Sequence, residues 1–355
     1  MPATLHITGS RHARPASTRT IYADGSHDPL YREGVDLELS HWRPNVTPAV
    51  YKDDTSTGVA WRYLDAGAPG GYDLVVNDHV DTDGLLASLV LLHPQACAPH
   101  RALLLQVAAM GDFAAWGDEA AQRLYQHLAH ERLRLHVQGV DALERAQALH
   151  RLALAALASP PMQDDDGVLA LRRAAAHIDG GRIQRRVLAE RLVHYEVPPE
   201  LAPAGLDLAP DQPRIDQPFH PAAVCPPAAR ARLDAERLQI VSIARRGGGW
   251  THELCWPSYA WADTVHLWLP PGLHATGGEN EYRFELPPLA QAVAELQGAE
   301  RATRGRWVLA QALDVFAAVP GRHFPVVLSF MDGQTPVPSA LAPAELRDLL
   351  RPALA

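Results

Sequence analysis

Over the first hundred residues the apolar positions fall into short runs separated by polar clusters. Val35–Ser40 alternates apolar and polar side chains with period two, which predicts a half-buried strand. A helix is expected to start at Asp54 or Thr55, where capping side chains are available, and to carry Val59, Trp61, Tyr63 and Leu64. Gly67–Gly71 interrupts the pattern. Tyr72–Asn77 is an apolar run short enough for a buried strand, and the run from Gly84 to Leu92 reads as a helix. The order is therefore strand, loop, helix, strand, loop, helix. A right-handed crossover makes the two strands parallel and opens both loops on one edge of the sheet.

Helical patterns dominate the next stretch, at His100–Ala109, Asp118–Leu135, Asp141–Ala158 and Leu169–Val193, the last broken near Gly180-Gly181. Val197–Pro227 is rich in proline and poor in apolar runs, as expected of a linker. Beyond it, Leu238–Ala244 and Glu253–Trp256 flank Gly247-Gly248-Gly249. Strands are expected at Thr264–Leu269 and Val326–Ser329, helices at Leu289–Glu295 and Arg306–Ala318, and a turn at Thr276–Glu281. The fold class this predicts is α/β: a parallel-sheet N-terminal domain with many helices, plus a smaller mixed α+β C-terminal domain. The expected boundaries are a loose tail at 1–20, a domain at 21–196, a Pro-rich linker at 197–228 and a C-terminal substrate-binding or accessory domain at 229–355.

Composition narrows the function classes. A 47% apolar share with 21% charged residues is ordinary for a globular chain. The net charge of −9 argues against a broad grip on duplex nucleic acid, although Arg-rich patches occur at Arg182–Arg191 and Arg301–Arg306. Cys97, Cys225 and Cys255 are far apart, show no zinc spacing and fit a reducing cytoplasm. Met1–Thr20 lacks the apolar core of a secretory signal, and no run approaches bilayer length. Lys52 is the only lysine, which excludes a Gly-x-x-x-x-Gly-Lys phosphate loop. Abundant Arg, Ala and Pro suggest a GC-rich bacterial genome.

The densest chemistry lies in Asp78-His79-Val80-Asp81-Thr82-Asp83-Gly84. In an extended loop His79, Asp81 and Asp83 point the same way, with Val80 and Thr82 opposite. Carboxylates this close repel unless a cation or protons neutralise them, so a divalent metal is the simplest occupant. Asp83 is also the expected N-cap of the following helix, and Gly84 lets the backbone approach a ligand. A plain acidic turn is the alternative. The loop Ser40–Pro48 joins His41, Trp42, Arg43 and Asn45 after a predicted strand. If the strands are parallel, His41 approaches the acidic loop as a ligand or general acid. Arg43 could then hold a phosphate and Asn45 contact the substrate. The alternative is a loop fixed by Trp42 and two prolines.

His79-x-Asp81-x-Asp83-Gly84-x-x-Ala87-Ser88 resembles the first motif of the DHH phosphoesterase superfamily, strongly over about 20 residues and weakly over about 100. The Asp-His-His motif itself is absent. The chain as a whole also resembles bacterial proteins grouped only as a domain of unknown function. The DHH resemblance implies an N-terminal metal-binding domain and two metal ions. It also implies a further ligand from a later element, for which Asp112 beside Gly111 is the candidate; a helix cap is the other reading of Asp112. It draws attention to Gly247-Gly248-Gly249, since many members carry a glycine-rich substrate loop followed by a His. Gly248, Gly249 and His252 are then substrate-binding candidates, with a hairpin turn as the alternative.

The leading expectation is a metal-dependent phosphohydrolase, a phosphodiesterase or phosphatase, using Mn²⁺ or Mg²⁺, with two ions for catalysis. Mixed imidazole and carboxylate ligands favour Mn²⁺ over Ca²⁺. His79 must be neutral to bind, so affinity should fall at acid pH. The expected partner is a phosphorylated small molecule or short oligonucleotide, with no membrane; a homodimer is left open. Two other readings stand beside it. One is a non-catalytic binding or regulatory protein on a DHH-like fold. The other is a zinc-dependent amide hydrolase, since His79-x-Asp81 also resembles the ligand pair of dinuclear zinc aminopeptidases. Those need a downstream Glu-Glu pair, which this chain lacks.

Overall fold

The apolar runs of the first half become short strands. In a computed structural model of the chain, which describes residues 3–202, 215–276, 281–310, 312–314 and 324–354, the chain forms two units. Among the described residues the first unit comprises 3–164, 216–218 and 262–267, and the second comprises the remainder. The first carries a parallel four-stranded sheet with many helices, and the second carries mixed sheet and helices. No helix among the described residues is long and apolar enough to cross a membrane.

The first sheet contains β1 (Thr4–Ile7), β2 (Thr20–Ala23), β3 (Leu37–Leu39) and β4 (Leu74–Asn77), all parallel, in the order β1-β4-β2-β3. Residues 3–20 of the expected loose tail at 1–20 are thus built into the fold. Leu5 and Ile7 are buried in β1, which pairs with β4 from Thr4↔Leu74 to Ile7↔Asn77. Arg14, part of the polar stretch that suggested a tail, is tied to Asp28 at 2.5 Å.

The helices of this unit are α1 (Ser56–Asp65), α2 (Thr82–Leu92), α3 (Pro94–Cys97), α4 (Arg101–Phe113), α5 (Glu119–Val137) and α6 (Ala142–Ala158). Every residue of α2 except Leu92 is buried, because α2 packs on β1, β2 and β4 and against α1, α4 and α6. Its sequence is apolar on all sides, as a helix enclosed by a core requires. Thr55, Asp81, Asp118 and Asp141 cap α1, α2, α5 and α6 with side-chain oxygens.

In the second unit the elements are α7 (Asp166–Asp179), β5 (Gln184–Ala189), β6 (Leu192–Val197), α8 (Pro227–Asp234), β7 (Leu238–Ala244), β8 (Trp250–Cys255), β9 (Leu273–Ala275), β10 (Glu281–Phe284), α9 (Pro287–Ala299), β11 (Arg306–Leu309), β12 (Ala312–Asp314), β13 (Val326–Asp332), β14 (Thr335–Pro336) and α10 (Pro343–Leu354). Its main sheet runs β11-β13-β8-β7-β6-β5 with β14 on β13, antiparallel except for β6 beside β7. A small antiparallel sheet runs β12-β10-β9.

Several sequence expectations change here. The helix expected over Leu169–Val193 ends at Asp179, since Gly181 takes φ +69° and breaks it. The Arg-bearing segment after it becomes edge strand β5, on which Arg186 is exposed and Arg185 pairs with the buried Asp234 at 2.6 Å. Because β5 and β6 join the second sheet, that unit starts at Asp165 rather than after 196. Thr264–Leu269 forms no strand; the backbone amides of Val265 and His266 instead donate to the Asp54 carboxylate. Arg306–Leu309 is a strand and not a helix, with Trp307 opposite Phe330 across the sheet. Residues 315–318 of that expected helix, 277–280 of the expected turn and 203–214 of the expected linker lie outside the described residues. At the end of the linker region, Pro227 already opens α8.

The position of α2 gives a stability test. Leu86 is fully buried in it, whereas Leu169 in α7 is 46% exposed. Leu86→Ala is expected to lower unfolding free energy by about 2–5 kcal/mol, as core truncations do. Leu169→Ala is expected to change it by less than about 0.5 kcal/mol. Urea denaturation of both variants checks this, and equal midpoints would refute the central role of α2.

Candidate metal centre

Three neighbouring parallel strands end in a ligand-type side chain. Asp24 follows β2, His41 lies two residues past β3, and His79 lies two past β4. Asp81 and Asp83 open α2, and Asp112 sits near the end of α4. The cluster therefore occupies the carboxyl edge of the sheet, where α/β folds place ligands.

Two groups of potential ligand atoms meet there, Asp24 with His79 and Asp81, and Asp24 with His41 and Asp83. Within each group the atoms lie within 4.8 Å of one another. His79 Nε2 is 2.8 Å from Asp81 Oδ2 and 3.1 Å from Asp24 Oδ2. His41 Nε2 is 3.1 Å from Asp112 Oδ2, 3.5 Å from Asp24 Oδ1 and 3.6 Å from Asp83 Oδ2. Asp24 thus turns one oxygen to each imidazole. His41, Asp24, Asp83 and Asp112 are buried, and the His79 side chain is 26% exposed, so the cluster meets solvent on the His79 side.

Each imidazole has its other nitrogen held from outside the cluster. His41 Nδ1 donates to the Asp54 carbonyl at 2.6 Å, and His79 Nδ1 contacts the Asp78 carboxylate. This fixes the ring planes and aims both Nε2 atoms inward, the outer-shell arrangement of metal-binding histidines. Asp78 is held in turn by the Ser26 amide at 2.9 Å.

The carboxylates are also placed by backbone. Asp83 accepts from the amides of Ser56 and Thr57 at 2.7 and 2.9 Å, so it sits on the N-terminus of α1. Asp81 accepts from the Gly84 amide at 2.8 Å. Asp24 Oδ1 accepts from Trp42 Nε1 at 2.7 Å and Ser56 Oγ at 2.6 Å. Asp24 Oδ2 and both oxygens of Asp112 are buried with no hydrogen-bond donor in line among the described residues. Gly84 is required for packing: a Cβ there would lie 2.7 Å from Asp24 Oδ2.

These contacts set the protonation tendencies. Burial disfavours charge on His41, but Asp112, Asp83 and Asp24 outweigh it and raise its pKa to about 10. The same holds for His79, where burial is opposed by Asp81, Asp24 and Asp78 and the net shift is strongly upward. Burial, with Asp24 and Asp81, pushes Asp83 to about 6. Burial and Asp81 also drive Asp112 well up. Asp24 goes the other way, because His79 and His41 outweigh its burial.

The structure brings together His41, His79, Asp81, Asp83 and Asp112 as sequence reasoning expected. It corrects how they meet. Asp81, not Asp83, is the N-cap, since the backbone turns helical at Thr82. Asp83 reaches the site from the first turn of α2 rather than by extended alternation. Asp24 was missed. Its signal was Thr20-Ile21-Tyr22-Ala23 followed by Asp24-Gly25, a β-rich run ending in a turn pair. Its φ of +66° is one that Asp tolerates better than most residues.

Arg43 and Asn45 are directed to Asp263: the Arg43 guanidinium is 3.7 Å from it, and Asn45 Nδ2 donates to it at 3.2 Å. Lys52 also pairs with Asp263. In the second unit Gly248 and Gly249 form the β7–β8 hairpin turn, with Arg245 N donating to Gly249 O at 3.1 Å. His252 is buried between Ser242 Oγ at 2.7 Å and the Leu341 carbonyl at 3.0 Å, so its ring is closed to a substrate.

A further residue steadies the site. Asp216, which belongs to the first unit, binds Thr82 through its amide at 3.0 Å and its hydroxyl at 2.5 Å. It also pairs with Arg132 at 2.9 Å. Its own amide donates to the Gly111 carbonyl at 2.9 Å, so one residue links the ligand-bearing ends of α2 and α4.

His252 yields a pH prediction. Burial lowers its pKa to about 4. The unfolded chain therefore binds this proton first as pH falls. Its contribution is complete above about 6.5 and is lost progressively toward about 4, at most about 3 kcal/mol for such a shift. Urea denaturation across that window should show a shallower acid loss for His252→Gln than for the native chain. Parallel pH profiles would contradict this.

Residues 8–159 match a family of unknown function, DUF6687. No curated protein and no solved structure matches the chain. The matched stretch contains all six residues of the cluster.

Proposed function

We propose that the chain is a metal-dependent phosphohydrolase, a phosphodiesterase or phosphatase, whose Mn²⁺ or Mg²⁺ ions are held by Asp24, His41, His79, Asp81, Asp83 and Asp112. The observation that carries this reading is the charge of the cluster. Four buried or nearly buried carboxylates surround two imidazoles that are each oriented by an outer group. With the imidazoles neutral, as ligation requires, the four negative charges balance two divalent cations. The donors left out of line, Asp24 Oδ2 and both Asp112 oxygens, are the hard oxygen ligands such ions prefer. Bound ions would supply Lewis-acid polarisation of a phosphoryl oxygen and a nucleophile at neutral pH.

The chain's own residues do the rest. Asp54 and Asp78 keep His41 and His79 in fixed tautomers and orientations. Asp24, with one oxygen toward each imidazole, would help hold metal on both sides of the cluster. His41 and Asp112 supply ligands that the missing Asp-His-His motif would otherwise leave lacking. The substrate enters from the His79 side and is a small phosphorylated molecule or short oligonucleotide. Three buried cysteines, none in a disulfide among the described residues, support a reducing, cytoplasmic setting.

The test is metal analysis of the purified protein, thermal melts with Mn²⁺, Mg²⁺ and Zn²⁺, and a phosphomonoester and phosphodiester substrate panel. Metal at about 100 times its Kd should raise the melting temperature of a domain this size by about 5–10 °C. Asp81→Asn keeps the helix cap but loses the charge. It is expected to lose most of that shift and at least about 100-fold in hydrolysis, with apo stability level or higher. Stabilisation by metal without turnover would replace this reading with that of a metal-dependent binding protein. No stabilisation by any of the three ions would end the metal reading.

A further inference from the structure

The second unit holds a cavity of about 380 Å³ whose rim is basic. Arg173 comes from α7, Arg182 from the turn before β5, and Arg246 from the β7–β8 hairpin. All three are exposed. Arg173 Nη2 donates to the Pro221 carbonyl at 3.3 Å, and Arg182 Nη1 approaches His177 Nδ1 at 3.5 Å. No carboxylate pairs with any of the three among the described residues, although the chain as a whole is acidic and many of the described arginines are paired. Among the described residues of the lining Glu200 is the one acid, set against three arginines. The floor is apolar, formed by the buried Ala174, Ala202 and Ala223.

From this arrangement we infer that the cavity is a binding site for a small organic phosphate, with the phosphate held by Arg173, Arg182 and Arg246 and a compact apolar body resting on the alanine floor. A guanidinium carries five donors in a planar fork that matches phosphate oxygens, and each of the three has donors left over. The volume falls within the range of small-ligand pockets. The alanines offer only methyl groups, so the floor leaves room for a compact apolar body and gives it no polar partner. Burial, with Arg182 and Arg173, holds His177 below its usual range, in keeping with a positive field across the cavity. The site needs no metal and does not rest on the hydrolase reading.

The probe is phenyl phosphate, with inorganic phosphate and sulfate as comparisons, titrated calorimetrically into the full chain in excess EDTA. Phenyl phosphate should bind saturably at one site, more tightly than inorganic phosphate, and more weakly as salt rises. The double variant Arg182→Ala/Arg246→Ala removes two exposed side chains, so its unliganded melt should match the native one. Its affinity should fall at least about tenfold, as expected for the loss of charge-assisted contacts. Arg182→Lys should fall in between. Asp81→Asn should bind phenyl phosphate as the native chain does, which separates this cavity from the metal cluster. No saturation up to about 10 mM, an affinity too weak for a built site, would overturn the inference. So would unchanged affinity in the double variant, or binding lost in Asp81→Asn instead.

Discussion

Mutual repulsion among Asp24, Asp81, Asp83 and Asp112 is the constraint around which the first unit is built. Two like charges about 4 Å apart repel by about 4 kcal/mol at an effective dielectric of about 20. The fold answers with donors that cannot move away. Asp83 lies on two amides of α1, Asp81 on an amide of α2, and Asp24 on Trp42 and Ser56. Asp112 has no donor in line among the described residues; it contacts His41 at 3.1 Å and has Asp81 and Asp83 as like-charged neighbours. Its position therefore depends most on whatever neutralises the site, whether a proton or a cation. Burial drives it toward the protonated form when no cation is present.

The parallel sheet makes this concentration of charge feasible. Parallel strands point their carboxyl ends the same way, so the residues following β2, β3 and β4 arrive together without long loops. The helices that begin near that edge turn their N-termini and free amides toward it. Asp83 uses α1 in this way, although it belongs to α2. One geometric rule thus brings the acids together and supplies the dipoles that hold them.

Much of this was legible in the sequence, and the gaps have physical causes. His79-x-Asp81-x-Asp83 stood out because its composition has few alternatives after an apolar strand. His41 followed from the parallel arrangement of two predicted strands. Asp24 was lost because β2 spans only four residues, too short for a period to register beside the polar segment before it. The cap was misassigned because Asp81 and Asp83 both suit a helix start, and only the backbone at Asp81 shows where helical dihedrals begin. The border between the units was misplaced because an Arg-rich edge strand has no alternating apolar face to display. The glycines and His252 of the β7–β8 hairpin carried a resemblance, but burial of the His between Ser242 and a carbonyl gives it a structural part.

The cluster and its supports have different origins along the chain. All six candidate ligands fall within residues 8–159, the stretch that matches the family of unknown function. Two residues that steady them do not. Asp216 ties Thr82 to Gly111 and so sets the spacing between Asp81, Asp83 and Asp112. Asp263 donates its amide to the His41 carbonyl at 2.7 Å, and its carboxylate gathers Asn45 and Lys52 around the same loop. Ligands placed by a sheet edge still need their loops fixed to within a fraction of an ångström before they act as one site. In this chain the sheet sets where the ligands meet, and short stretches far along the sequence set how firmly they are held.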